Sequence, residues 1–205
     1  MMVWSHRTPL IHSRHFVALA LIVAMAAAAP ARGDLHRLVL DGQLDSGAGR
    51  RGVSLRLLCE PAADGGAISL ELWVPQASTR KDFDYDDFEG PDAAAGDRAL
   101  SRVSAIADSR TTEITYPAAG WYSGEDPDTF VFGVSQRSHR EGKIATLLGG
   151  IDAKSTRLVW VQRGFDDPKR ELRSTFPLDA ATAARIRDTV GPCLPHAIKP
   201  KPAKH

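Results

Sequence analysis

Val53-Ser54-Leu55-Arg56-Leu57-Leu58-Cys59-Glu60, followed after a short break by Ile68-Ser69-Leu70-Glu71-Leu72-Trp73-Val74, is the stretch that decides the fold class. Val53, Leu55, Leu57 and Cys59 alternate with Ser54, Arg56 and Glu60, the period of a half-buried strand, and this puts Cys59 on the core face. Ile68, Leu70, Leu72 and Val74 repeat the alternation against Ser69, Glu71 and Trp73. Between them Asp64-Gly65-Gly66 supplies the positive-φ residues of a reversal, so the two runs predict a hairpin. Pro75 ends it, because proline cannot donate to a ladder.

The same signals extend outward in both directions. Leu35 to Leu40 reads as a first strand stopped by Asp41-Gly42, with a glycine-rich turn through Gly47 and Gly49. Downstream, strands are predicted at Leu100 to Ala107 and at Thr111 to Tyr116, which is rich in β-branched residues and closed by Pro117. The segment Gly120 to Asp128 has turn chemistry, after which Phe130, Phe132 and Val134 restore the period of two. Ile144 to Leu148 fits a strand or one helical turn equally. Leu158 to Arg163 and Leu172 to Phe176 pair across the turn from Gly164 to Lys169. One helix is well marked: Asp179 is its N-cap, Ala183, Ile186 and Val190 share a face, and Gly191-Pro192 stops it. Many short strands separated by turns predict a mainly β fold, an antiparallel β-sandwich or partly open barrel with one C-terminal α-helix.

The amino-terminal residues have the three-part pattern of a secretory signal peptide. Basic Arg7 and Arg14 precede an apolar run from Phe16 to Ala29, and Ala31-Arg32-Gly33 offers a small-x-small cleavage site before Asp34. The run falls short of the roughly 20 residues that cross a bilayer. No cysteine follows the site, so an acyl anchor has no attachment residue, and no membrane anchor is expected after cleavage. The expected organisation is a signal peptide over 1–33, a single domain over 34–194 and a disordered basic tail over 195–205, with a periplasmic or secreted location. Removing 1–33 takes away three arginines and no acids, so the formal charge falls from +1 to −2. Nucleic acid is not an expected partner of such a chain, since phosphate binding needs clustered Lys and Arg.

Only two cysteines are present, Cys59 and Cys193. Export would place them in an oxidising compartment, where one disulfide closing a loop of roughly 134 residues is expected, the alternative being two buried free thiols. The lack of a CxxC spacing excludes a zinc site or a thioredoxin-like pair built from them.

The most unusual chemistry lies in Lys81-Asp82-Phe83-Asp84-Tyr85-Asp86-Asp87-Phe88-Glu89-Gly90-Pro91-Asp92, where six carboxylates and three aromatic rings share one segment. Read as a long loop or edge strand, it turns Phe83 and Tyr85 to one side and Asp82, Asp84 and Asp86 to the other, so that the rings anchor an acidic ridge. The Asp82-x-Asp84-x-Asp86 spacing resembles the start of a calcium loop. Asp87, however, stands where glycine is needed and Ala93 where the bidentate glutamate belongs. The ridge is therefore read as a surface for a basic protein partner, formed by Asp82, Asp84, Tyr85, Asp86, Asp87 and Glu89, with no metal or cofactor. Trp121 and Tyr122, in a glycine-flanked loop, are added as a contact pair. Arg137, His139, Arg140 and Lys143 form a loop of opposite sign, a possible counterpart of the ridge.

Catalytic signals are weak. Ser54, Ser123 and Ser135 lack a nucleophile elbow, and the histidines after the cleavage site (His36, His139, His196, His205) include no His-x-x-x-His pair. Glu89, Glu125 and Asp126 supply acids for glycoside hydrolysis, a reaction whose requirement is a carboxylate separation that sequence does not give.

A strand ending in Cys59, a β body, then Ser174-Thr175-Phe176-Pro177-Leu178, a short helix and Cys193 resembles small periplasmic proteins such as the type VI secretion accessory proteins of the VasI kind. The resemblance is architectural and implies an envelope protein that works by binding. Exported lysozyme inhibitors, whose targets are basic, are a second analogy. The expected function is that of an exported soluble binding or accessory protein; the alternative is a secreted hydrolase using acidic residues or a bound metal.

Overall fold

A computed structural model describes residues 34–47, 49–62, 66–108, 110–137 and 142–194. The predicted signal peptide, His139, Arg140 and the basic tail lie outside the described residues. The strands are β1 (His36–Ser46), β2 (Gly49–Glu60), β3 (Ala67–Val74), β4 (Ser101–Ala107), β5 (Thr111–Tyr116), β6 (Ala119–Tyr122), β7 (Phe130–Arg137), β8 (Ser155–Arg163) and β9 (Glu171–Pro177). Two helices follow the same numbering, α1 (Lys143–Gly149) and α2 (Ala180–Val190).

All nine strands join one antiparallel sheet in the order β5-β4-β8-β9-β1-β2-β3-β7-β6. Its two edge strands, β5 and β6, are neighbours in the chain with only Pro117 and Ala118 between them. So short a link brings the ends of the sheet together, and the sheet curls into the partly open barrel of the two predicted forms. Leu38, Leu40, Leu55, Leu57, Leu70, Leu72, Phe132, Trp160 and Phe176 point inward and are almost fully buried. Side chains of this size stabilise the fold by about 1.5–3 kcal/mol each when taken from water.

One end of the barrel is closed by the helices. Asp179 caps α2, its carboxylate accepting the Thr182 backbone N–H at 2.7 Å, and Ala183, Ile186 and Val190 enter the core as expected. Cys193, just past α2, is bonded to Cys59 at the end of β2, with the Cα atoms 5.8 Å apart. Ile144 to Leu148 forms helix rather than strand. The Ile144 backbone N–H is accepted at 2.9 Å by the Gln136 side chain, and Ile144, Leu147 and Leu148 are buried beside α2.

Three sequence expectations are corrected. First, β1 does not stop at Asp41-Gly42 but runs on to Ser46. At Gly42 a Cβ would lie 2.4 Å from the Phe176 ring, so the glycine serves the packing of that ring and not a turn. Second, Ala119–Tyr122 is a strand paired with β7 and not part of the turn that follows it. Third, Arg137 sits opposite Ala67 and Lys143 beside Thr115, at the helix end of the barrel, far along β7 from the acidic segment at its Phe130 end. The described part of the basic loop is therefore not the counterpart of the acidic ridge.

Candidate functional site

The acidic segment closes the other end of the barrel. It leaves β3 at Pro75 and returns to β4, and its rings drop into the mouth: Phe83, Tyr85 and Phe88 are 2 %, 3 % and 1 % exposed. Each packs on the strand residues beneath. Phe83 and Phe88 meet Phe132 edge-on at centroid distances of 5.9 and 5.4 Å, and Tyr85 lies 5.2 Å from Phe130. Such aromatic pairs contribute about 0.5–1.5 kcal/mol each beyond the area they bury. The predicted alternation holds over Phe83, Asp84 and Tyr85, whereas the Asp82 side chain, expected on the exposed side, is buried. A single 3-10 turn over Asp86–Phe88 then brings the third ring inside.

Backbone pairing finishes the closure. Glu89 bridges to Gly120, and the Gly90 N–H donates to the Gly120 carbonyl at 2.9 Å, so the segment covers the free edge of β6. Gly120 is required here, since a Cβ would lie 2.6 Å from the Phe88 carbonyl oxygen and 2.5 Å from the Phe130 ring. Beneath the plug the Arg51 guanidinium donates to the Tyr85 hydroxyl at 2.6 Å. Burial pushes the Tyr85 phenol up to about 12 against the opposing pull of Arg51, so it stays protonated.

The carboxylates divide into anchors and rim. Asp82 is an anchor: its side chain is only 6 % exposed and is bonded by the Ser46 hydroxyl and by Arg80 at 3.2 Å. Burial alone would raise its pKa, but the hydrogen bonds from Ser46 and Arg80 together hold it below the usual carboxylate range. Asp84 is exposed and pairs with Arg170 at 3.0 Å, while Asp86 accepts the Tyr122 hydroxyl at 3.2 Å. Asp87 differs from both. Burial raises its pKa, helped by the charges of Asp166, Asp84 and Asp86, and no described donor is bonded to its carboxylate. Asp84, Asp86, Asp87 and Asp166 rim a depression of about 280 Å³ with Tyr122, Arg80 and Lys81 at its sides.

No protein-family model, curated protein or solved structure matches the chain.

Of the residues singled out in the sequence, Asp84, Tyr85, Asp86, Asp87 and Tyr122 do line one depression, although Tyr85 is too buried to offer much surface. Asp82 is spent on internal bonds, and Glu89 lies on the flank over β6. Trp121 and Tyr122 do not act as a pair. As consecutive residues of a strand they face opposite ways: Tyr122 packs edge-on against Phe130 at 5.0 Å, and Trp121 lies on the outer face over Gly133. Sequence reasoning missed Asp166 and Arg170, whose only signal was a charged turn between two strands. Of the acids considered for hydrolysis, Glu125 pairs with Arg56 at 3.2 Å, and Asp126 accepts the Thr129 hydroxyl at 2.7 Å and the Asp128 N–H at 3.2 Å. Among the described residues no three His, Cys, Asp or Glu side chains are arranged to hold a metal ion.

Proposed function

We propose that this is an exported soluble accessory protein of the cell envelope that binds a basic protein partner through the rim Asp84, Asp86, Asp87 and Asp166. One observation carries the reading: Asp87, a carboxylate with raised pKa and no described donor, stands with Asp84 and Asp86 on a plug packed by buried rings and faces Asp166 in the turn between β8 and β9. A lysine or arginine entering the depression relieves that repulsion, and it meets a surface that needs no ordering before it binds. The Cys59–Cys193 bond supports an oxidising compartment. The kinship proposed with type VI secretion accessory proteins of the VasI kind rests on the sequence order of the two cysteine-bearing ends alone. The alternative of a secreted hydrolase gains nothing from Glu125 and Asp126, which are engaged in local bonds.

Capture of partners from envelope extract, followed by titration of the purified partner over a salt series, tests the proposal. Wild-type affinity should fall as salt rises, with the association rate falling most. Replacing Asp84, Asp86 and Asp87 together with asparagine should weaken binding at least tenfold at low salt and leave the fold intact. A partner indifferent to both changes, or turnover of a glycan or ester abolished by Glu89→Gln, would sink the reading.

A further inference from the structure

The outer face of the sheet carries a second, chemically different site. Asp41 and Gln43 on β1, Gly52 and Ser54 on β2 and Trp73 on β3 line a groove of about 390 Å³ that ends at Thr129. The register places them in adjacent rows, Asp41 opposite Ser54, Gln43 opposite Gly52 and Ser54 opposite Trp73.

Three features of this groove are not explained by the fold. Gly52 is a strand residue without positive φ, and a Cβ there would touch nothing within 4 Å. Neither backbone nor packing requires glycine, which weakens a strand and marks places where a ligand comes close. Its missing side chain leaves the floor of the groove open. Trp73 is also held unusually firmly for a surface ring. Its Nε1–H donates to Glu71 at 3.0 Å, and the Arg56 guanidinium lies 3.2 Å from the ring centroid while pairing with Glu125 at 3.2 Å. Neither Arg56 nor Glu71 lines the groove, so the indole borders it from the side away from them. Finally, no described residue is bonded to the side chains of Asp41, Gln43 or Ser54, although the first two project from one face of β1 roughly 7 Å apart.

The chemistry selects the ligand. A cation is disfavoured because Arg56 already occupies the indole's electron-rich face and a second charge across the ring would be repelled. An anion is disfavoured by Asp41. A purely apolar ligand would strip water from Asp41 and Gln43 and give them nothing in return. What fits is a neutral molecule with one C–H face for the indole and an edge of hydroxyls for an acceptor-only carboxylate and a donor-acceptor amide. We propose that this groove binds a neutral saccharide, stacked on Trp73 over Gly52 and hydrogen-bonded by Asp41 and Gln43.

Intrinsic tryptophan fluorescence of the full chain, titrated with triacetylchitotriose, cellotriose and maltotriose, tests this. At least one should give a saturable change that persists from low to high salt, unlike binding at the acidic rim. Gly52→Thr should keep or raise the melting temperature, because threonine suits a strand and its Cβ meets open space, yet lower saccharide affinity at least tenfold. Gln43→Ala should weaken it less, and Trp121→Phe should leave it unchanged while removing the exposed indole of β6. Failure of all three trisaccharides to bind would overturn the proposal, as would binding that survives Gly52→Thr in a folded protein.

Discussion

The two ends of the barrel are closed by different means. At one end α1, α2 and the Cys59–Cys193 bond fill the opening with aliphatic side chains and a covalent link. At the other, three rings on an irregular segment fill it and a row of acids stands above them. At the helix end Asp179 caps α2 and the Gln136 side chain accepts the Ile144 N–H of α1, while the disulfide secures the chain. The plug end leaves the Asp87 carboxylate without a described donor above a floor of packed rings, which is where a partner has something to gain.

The sharpest way to break that contrast is to remove the covalent link. The sheet consists of two halves, β5-β4-β8-β9 and β1-β2-β3-β7-β6, and the seam between them pairs only Gln43, Leu44 and Asp45 with Thr175, Ser174 and Arg173. The disulfide spans the same seam, from β2 in one half to the residues after β9 and α2 in the other. Cys59→Ser with Cys193→Ser should therefore cost about 4 kcal/mol in denaturant unfolding. Amide exchange should rise first at Leu44 and Ser174, and if it rises uniformly the seam is not the weak line. At the plug end Phe83→Ala should cost about 3 kcal/mol, the range for a buried phenylalanine, and lower partner affinity with it.

A smaller effect separates the anchor beneath the plug from its packing. Tyr85→Phe keeps the ring but deprives the Arg51 guanidinium of its bonded hydroxyl, and should cost about 1–2 kcal/mol by thermal or denaturant unfolding. The smallest effects have opposite signs at two neighbouring acids. Asp87, with its pKa raised in the folded state, weakens the fold above that pKa, so Asp87→Asn should raise the melting temperature at pH 7. The gain should shrink as pH falls through the raised value. Asp82, with its pKa lowered, lends stability that is present above its unfolded value near 3.9 and lost as pH falls through the lower folded one. Asp82→Asn should hence lower the melting temperature at pH 7, and the loss should vanish in strong acid. Equal responses of the two variants would remove the distinction between anchor and rim.

Strand periodicity made most of the sheet legible in advance: β2, β3, β5 and β9 fall close to their predicted places because each turns alternate residues inward, and β8 does so through an apolar run buried on both faces. The misses have a common cause, which is that a partner far along the chain decides them. Gly42 looks like a stop until Phe176 is seen against it, and Gly120 looks like a turn until Phe130 and the Phe88 carbonyl close around it. The alternation of Phe83 and Tyr85 against acids was readable. That the segment crosses the barrel mouth was not, since this depends on β6 pairing with β7 and leaving an edge for Glu89 and Gly90. Asp166 joined the rim only through the turn between β8 and β9.

The placing of β1 between β2 and β9 has a consequence for the order of assembly. One edge of β1 is satisfied within a dozen residues of synthesis, while the other must wait for β9 near the end of the domain. Until then Leu38, Leu40 and Leu44 sit on a strand with a bare edge, a template for pairing with other chains. Such long-range closure predicts slow folding. A chain halted before Pro177 should accumulate as aggregating half-sheets, and a chaperone that shields β1 should act longest on this protein.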